Sequence, residues 1–215
     1  MKVCIADMVW LKKRGRGIVE VSLYNGASLA LDAEIAVRFQ LKCGMEISDA
    51  LGQTLRTENE LLEARQRVVR YLSLRLKTAR EAHDYLARLG FSEEAAAAAV
   101  EHARELGMID DKAYAGAYTR TQERGALKGP RAIRHELHQR GVDRDTAAEA
   151  VADAEDPEAQ RANARRAAER KAASLAREAP AKARLKLMQY LLRKGYDGTV
   201  AAEVTRELLG GNADE

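Results

Sequence analysis

Residues 128–142 read KGPRAIRHELHQRGV, and this stretch decides the fold. Pro130 suits the first helical position, where its missing N–H would have had no partner anyway. Ile133 and Leu137 lie four apart on one helix face, with Arg131 and Arg134 on another. Gly141 stands where a left-handed C-cap is needed, and Val142 follows as its apolar contact. Asp143 can cap a new helix. The stretch predicts a short helix, a tight corner and the start of a second helix.

The same corner occurs three times. Gly90-Phe91-Ser92 is followed by Ala96-Ala97, Gly141-Val142-Asp143 by Ala147-Ala148, and Gly195-Tyr196-Asp197 by Ala201-Ala202. Each glycine has a leucine four residues before it: Leu86, Leu137 and Leu191. In every copy a helix ends at Gly, an apolar residue plugs the corner, and Ser or Asp caps the next helix. The plug at N′ faces position N4, occupied by alanine, as in a hydrophobic staple. One such corner would be an ordinary helix–helix turn. Three with matched flanks predict an internal repeat of just over fifty residues, outside the common 33- and 34-residue helical arrays.

Composition agrees. The chain has 215 residues, with 46% apolar, 32% charged and only 5% aromatic, which favours helices over sheets. Cys4 and Cys43 form no CxxC pair and suit reduced, buried or half-exposed thiols. No apolar run reaches membrane-spanning length, and the start lacks a secretory pattern, so the expectation is a soluble cytoplasmic monomer.

Along the chain, Val3–Trp10 is an apolar run, and Lys12–Gly17 is a basic turn. Ile18–Tyr24 alternates as a strand, Asn25-Gly26 signals a hairpin, and Ala27–Leu31 returns, giving two or three strands. Short helices are expected over 33–42 and from Ser48 to Leu55. From Thr57 the pattern is helical throughout. Thr57/Glu60 and Thr78/Glu81 read as capping boxes, and Asp110 and Asp156 as caps before further helices. The expected organisation is a β-hairpin and short-helix extension over 1–56 and three-helix repeats over 57–107, 108–155 and 156–210. A frayed tail over 211–215 follows. The fold class is mainly α.

Basic residues cluster where the first and second helices of each repeat meet. Arg65–Arg80 holds six cations and no acid, Arg120–Arg134 five against one, and Arg161–Lys194 eleven against two. A single run of this kind is usually a solvated helix face. Recurrence at matched positions favours a binding stripe suited to phosphates or an acidic protein groove. The residues expected to dock electrostatically are Arg67, Arg70, Arg75, Lys77 and Arg80, then Arg120, Arg124, Lys128, Arg131 and Arg134, then Lys182, Lys186 and Arg193. Tyr71, Tyr85, Tyr114, Tyr118 and Tyr190 fall at core spacing and make no base-stacking platform.

Signals for catalysis are missing. His135 and His138 share a helix face, but spacing places no third metal ligand. There is no phosphate loop, dinucleotide fingerprint or nucleophile elbow. Asp110 and Asp111 fit a helix start better than acid–base work. The reading is a binding protein that is no enzyme and has no cofactor or metal.

Four stretches carry a family resemblance: RLKTAREAHDYLARLGF at 75–91, GMIDDKAYAGAYTRTQ at 107–122, KGPRAIRHELHQRGV at 128–142 and MQYLLRKGYD at 188–197. They resemble, in order and spacing, the RecX family of recombination regulators. Residues 1–56 are more weakly similar to the N-terminal extension of longer members. The family usually has Arg-Ser before the second helix and Leu after its Glu, where this chain has Lys77-Thr78 and Ala82. The resemblance implies tandem three-helix repeats in an elongated, curved array. It also implies a non-enzymatic role: binding the RecA recombinase and its nucleoprotein filament, and mostly inhibiting its ATPase, strand-exchange and co-protease activities. A direct, sequence-independent nucleic-acid-binding module is the alternative the basic clusters leave open.

Overall fold

The computed structural model describes residues 2–13, 15–152 and 156–210, so the tail expected over 211–215 lies outside the described residues. The chain divides into two compact units, Met1–Leu76 with Ala82–Ile109, and Lys77–Glu81 with Asp110–Glu215.

The first unit opens with four antiparallel strands, β1 (Lys2–Lys13), β2 (Arg16–Leu23), β3 (Ser28–Asp32) and β4 (Glu46–Ser48), in the order β3-β2-β1-β4. The Asn25-Gly26 turn is where the sequence placed it, with Gly26 at φ +84°. The three-residue β4 was not anticipated, because too few residues alternate there to show a period. Helix α1 is Ala33–Arg38, shorter than the expected 33–42. Ile5, Val19, Val21, Leu31, Ile35 and Leu55 form the sheet's core. Cys4 is half-buried, while Cys43 is exposed, beyond the half-exposure expected.

A single helix, α2 (Asp49–Leu72), replaces the two helices predicted on either side of Thr57. Ser48 caps it through a 3.1 Å bond from the Leu51 N–H. Thr57 is therefore interior, with no proline to break the run, and its expected capping box does not form. The Glu60 carboxylate instead accepts the Ser92 N–H at 2.6 Å. α3 (Ala79–Arg88) and α4 (Glu93–Glu105) complete the set, and α4 packs on α2. Tyr71 and Tyr85 stack with centroids 4.1 Å apart.

The second unit holds α5 (Asp111–Thr121), α6 (Pro130–Gln139), α7 (Arg144–Val151), α8 (Pro157–Ala172), α9 (Pro180–Arg193) and α10 (Gly198–Leu209). α5, α6 and α7 enclose one core around Ile133, Leu137 and Val142. α8, α9 and α10 enclose another around Leu187, Leu191 and Tyr196. A π turn at Gln122–Ala126 ends α5 and sets Leu127 in the left-handed region at φ +48°. That backbone costs a leucine about 1–2 kcal/mol. It carries the Leu127 side chain into the α8–α10 core, where Leu127 is 2% exposed. The Tyr196 hydroxyl donates to the Leu127 carbonyl at 3.0 Å and so fixes the insertion.

The three corners repeat at atomic detail. Gly90, Gly141 and Gly195 have φ of +87°, +83° and +89°. The N–H of each plug residue, Phe91, Val142 and Tyr196, bonds the carbonyl of Leu86, Leu137 and Leu191 at 3.3, 3.0 and 3.2 Å, which is the Schellman pattern. Ser92, Asp143 and Asp197 cap the helices that follow. Of each alanine pair only the first, Ala96, Ala147 or Ala201, is fully buried. That is position N4, as the staple requires.

Candidate functional site

The second unit shows how successive repeats are joined and which cations take part in the joints. The N-terminus of α6 sits on the Gly195 corner. The Gly129 N–H donates to the Lys194 carbonyl at 2.7 Å, and the Arg131 N–H to the Gly195 carbonyl at 3.2 Å. A Cβ on Gly129 would come within 2.5 Å of the Gly195 carbonyl, and one on Gly195 within 2.3 Å of the Ala132 nitrogen. Arg131 closes the joint with an ion pair to the capping Asp197.

The same joint forms one repeat earlier. The Thr78 hydroxyl donates to the Arg140 carbonyl at 2.6 Å, while a Cβ on Gly141 would lie 2.4 Å from that of Arg80. Thr78 also completes the predicted capping box. Its Oγ1 accepts the Glu81 N–H at 3.1 Å, and Glu81 accepts the Thr78 N–H at 3.3 Å. Glu81 in turn accepts a 3.0 Å bond from Arg140. Asp111, read as a dipole partner for its own helix, has its carboxylate 3.1 Å from the Ala79 N–H and accepts from it. No local pattern could have announced this contact, since 32 residues separate the partners.

A polar network supports α6 from the inside. Lys128 Nζ donates to both Glu136 oxygens, at 2.6 and 2.8 Å, and the Tyr118 hydroxyl donates to Glu136 at 2.6 Å. Arg140 lies 4.9 Å over the Tyr118 ring. Partial burial pushes the Glu136 carboxyl up, but the bonds from Lys128 and Tyr118 outweigh it and hold the group below the ordinary glutamate value. Burial, then the bond to Glu136, raises the Tyr118 hydroxyl. Burial lowers the Lys194 ammonium, and neighbouring Lys128 and Arg170 add to the effect.

The thirteen expected docking residues thus divide. Lys77 is buried, 3.7 Å from Glu81. Lys128 is held by Glu136, Arg131 by Asp197, and Lys182 and Lys186 both by Glu178. Arg80 lays its stem on Gly141, and Arg134 is half-buried. Arg67, Arg70, Arg75, Arg120, Arg124 and Arg193 are exposed. Arg67, Arg70 and Arg75 belong to the first unit and the other three to the second.

Among the described residues no group of three or more His, Cys, Asp or Glu is arranged to hold a metal ion. Nor is any described helix long and apolar enough to cross a membrane.

Comparison with known proteins agrees with this geometry. Models of the first, second and third three-helix domains of RecX match residues 64–102, 110–151 and 158–205, in that order. Regulatory protein RecX of Geobacillus kaustophilus is 34% identical over 188 residues, covering 87% of this chain and 68% of that one. Regulatory protein RecX of Levilactobacillus brevis is 34% identical over 140 residues, and there the match spans 65% of this chain and about half (52%) of the relative's length. A crystal structure of regulatory protein RecX superposes with a TM-score of 0.73 at 25% identity, over 94% of this chain and 98% of that one. The order of the three matched domains and the length of the Geobacillus match lead to one conclusion: this chain belongs to the RecX family of regulatory proteins.

Proposed function

We propose that this chain is a non-enzymatic regulator that binds a RecA-type recombinase and its nucleoprotein filament. It acts as a cytoplasmic monomer and mostly inhibits the recombinase's ATPase, strand-exchange and co-protease activities. The observation that carries this reading is the match, in order, of all three RecX three-helix domains. Thr78, Glu81, Asp111, Lys128 and Glu136 are engaged in caps, joints and the α6 network. Several of the arginines expected to dock are exposed. Arg67, Arg70, Arg75, Arg120, Arg124 and Arg193 are the proposed docking residues, acting through many weak contacts that add. Lys77, Lys128, Arg131, Lys182 and Lys186 contribute by keeping the helices in place, and Arg80 and Arg134 by both routes.

The test is ATP hydrolysis by a RecA-type recombinase on single-stranded DNA, with this protein added well below one molecule per recombinase subunit. Inhibition under those conditions is the expected result, because one bound regulator acts on many subunits. Unchanged hydrolysis, with tight and steeply salt-dependent binding to bare DNA, would replace this reading with the direct nucleic-acid-binding one.

A further inference from the structure

The Gly90 corner differs from its two counterparts. A Cβ on Gly141 or Gly195 would strike a neighbouring helix start, whereas one on Gly90 would meet nothing within 4 Å. Instead, Leu89, Gly90 and Phe91 form one wall of a groove of about 500 Å³ within the first unit. The opposite side is β3, whose residues 28, 29, 30 and 31 all line it. Side chains of consecutive strand residues point to opposite faces, so a groove touched by four in a row runs along the strand's backbone edge.

That edge has no neighbouring strand among the described residues. β3 is the outermost strand of the sheet, and β2 is its one strand partner there. Its direction of bonding follows from two observations. The Ala27 carbonyl accepts from Leu23 of β2, so the odd-numbered positions bond inward. The Asp32 N–H points the other way and donates to Asn59 of α2 at 2.6 Å. By alternation the N–H and C=O groups of Ser28 and Ala30 also point outward, into the groove. Charge completes the picture. Of the acids lining the groove, Glu60 accepts the Ser92 N–H and Glu63 lies 3.6 Å from Arg16. Arg56 and Arg67 are exposed at the two ends of the lining stretch of α2, and neither has an ion pair among the described residues. Eleven residues of helix separate them by about 16 Å, while the first and fifth residues of an extended strand are about 13–14 Å apart and face the same way.

We infer that this groove is a peptide-binding site that adds an extended five-residue segment to the edge of β3, with acidic side chains at its first and fifth positions paired to Arg56 and Arg67. Main-chain bonds to Ser28 and Ala30 supply affinity, and the two arginine–carboxylate pairs supply selectivity. The inference does not depend on the recombinase reading, because it concerns a site in the first unit defined by strand edge and charge.

The experiment is a titration of the full chain with acetyl-Asp-Val-Ser-Val-Asp-amide, followed in its amide NMR spectrum. The Ser28 and Ala30 amide signals are expected to move most and to saturate. A peptide with Lys at both ends should bind at least tenfold more weakly, as should the acidic peptide to an Arg56→Glu, Arg67→Glu chain. Ala30→Pro removes one outward N–H and leaves the β2–β3 ladder intact, as proline on a strand edge can. It too should weaken binding at least tenfold. Should that variant fold poorly, two peptides, one N-methylated on the central Ser and one on both Val residues, test the same bonds on the unaltered protein in either strand direction. Absence of saturable shifts at Ser28 and Ala30, or binding indifferent to both Ala30→Pro and N-methylation, would overturn the inference.

Discussion

The Gly141 and Gly195 corners and the Gly90 corner share sequence, backbone angles and hydrogen bonds, yet differ in what lies against them. The first two are each occupied by the N-terminus of a helix from the preceding repeat, through Thr78 and Gly129. Gly90 is open. Local chemistry is therefore enough to make the turn, while the surroundings decide whether its glycine is also a packing residue. The residue before each glycine differs too: half-buried Arg140 and Lys194 precede the occupied glycines, and exposed Leu89 precedes the open one.

Substituting the glycines gives the sharpest way to break this comparison. Gly195→Ala faces both a left-handed backbone and a collision with Ala132, and should cost about 2–5 kcal/mol. Gly90→Ala meets only the backbone term and should cost about 1–2 kcal/mol. Urea unfolding of each variant measures the gap, and equal losses would show that the joint contributes nothing. Gly129→Ala isolates the other side of the joint, since Gly129 has an ordinary φ of −81°. Its loss of about 1–3 kcal/mol would come from collision alone. Thr78→Val keeps the shape but removes a cap and the bond to Arg140. A loss of about 1–2 kcal/mol is expected, read from the same unfolding curves.

A pH scan probes the network beneath α6. The Glu136 carboxyl is held below its ordinary value in the folded chain. Its contribution is therefore complete above the unfolded-state value near pH 4.5 and disappears as pH falls through the lower folded value. Thermal midpoints measured from pH 6 downward should drop less steeply for Glu136→Gln than for the parent. The smallest expected effect is at the rim of the Gly195 joint. Arg131 is 61% exposed, so Arg131→Ala should cost less than about 1 kcal/mol despite its ion pair with Asp197. A larger loss would make the joint electrostatic rather than steric.

The candidate site was legible only in part. The sequence marks where cations cluster along the chain, but which acid each one meets depends on the fold. Lys128 and Glu136, eight residues apart in sequence, are set in contact by folding. Arg131 meets Asp197 across 66 residues. The groove at β3 had no sequence signal at all, because an open strand edge is defined by the neighbour it lacks.

What the sequence determined by itself is everything governed by near neighbours: the three glycine corners, their caps, the proline-led helix starts and the Asn25-Gly26 hairpin. These rest on backbone sterics and hydrogen bonds spanning five residues or fewer, which any local reading can follow. Only the tertiary structure decided that α2 runs unbroken through Thr57, that Asp111 caps a helix 32 residues away, and that Leu127 takes a strained backbone to enter the next repeat's core. The Asp111 and Leu127 features rest on contacts that exist only once the chain has brought distant residues together, and for Leu127 that contact outweighs a local backbone cost of about 1–2 kcal/mol.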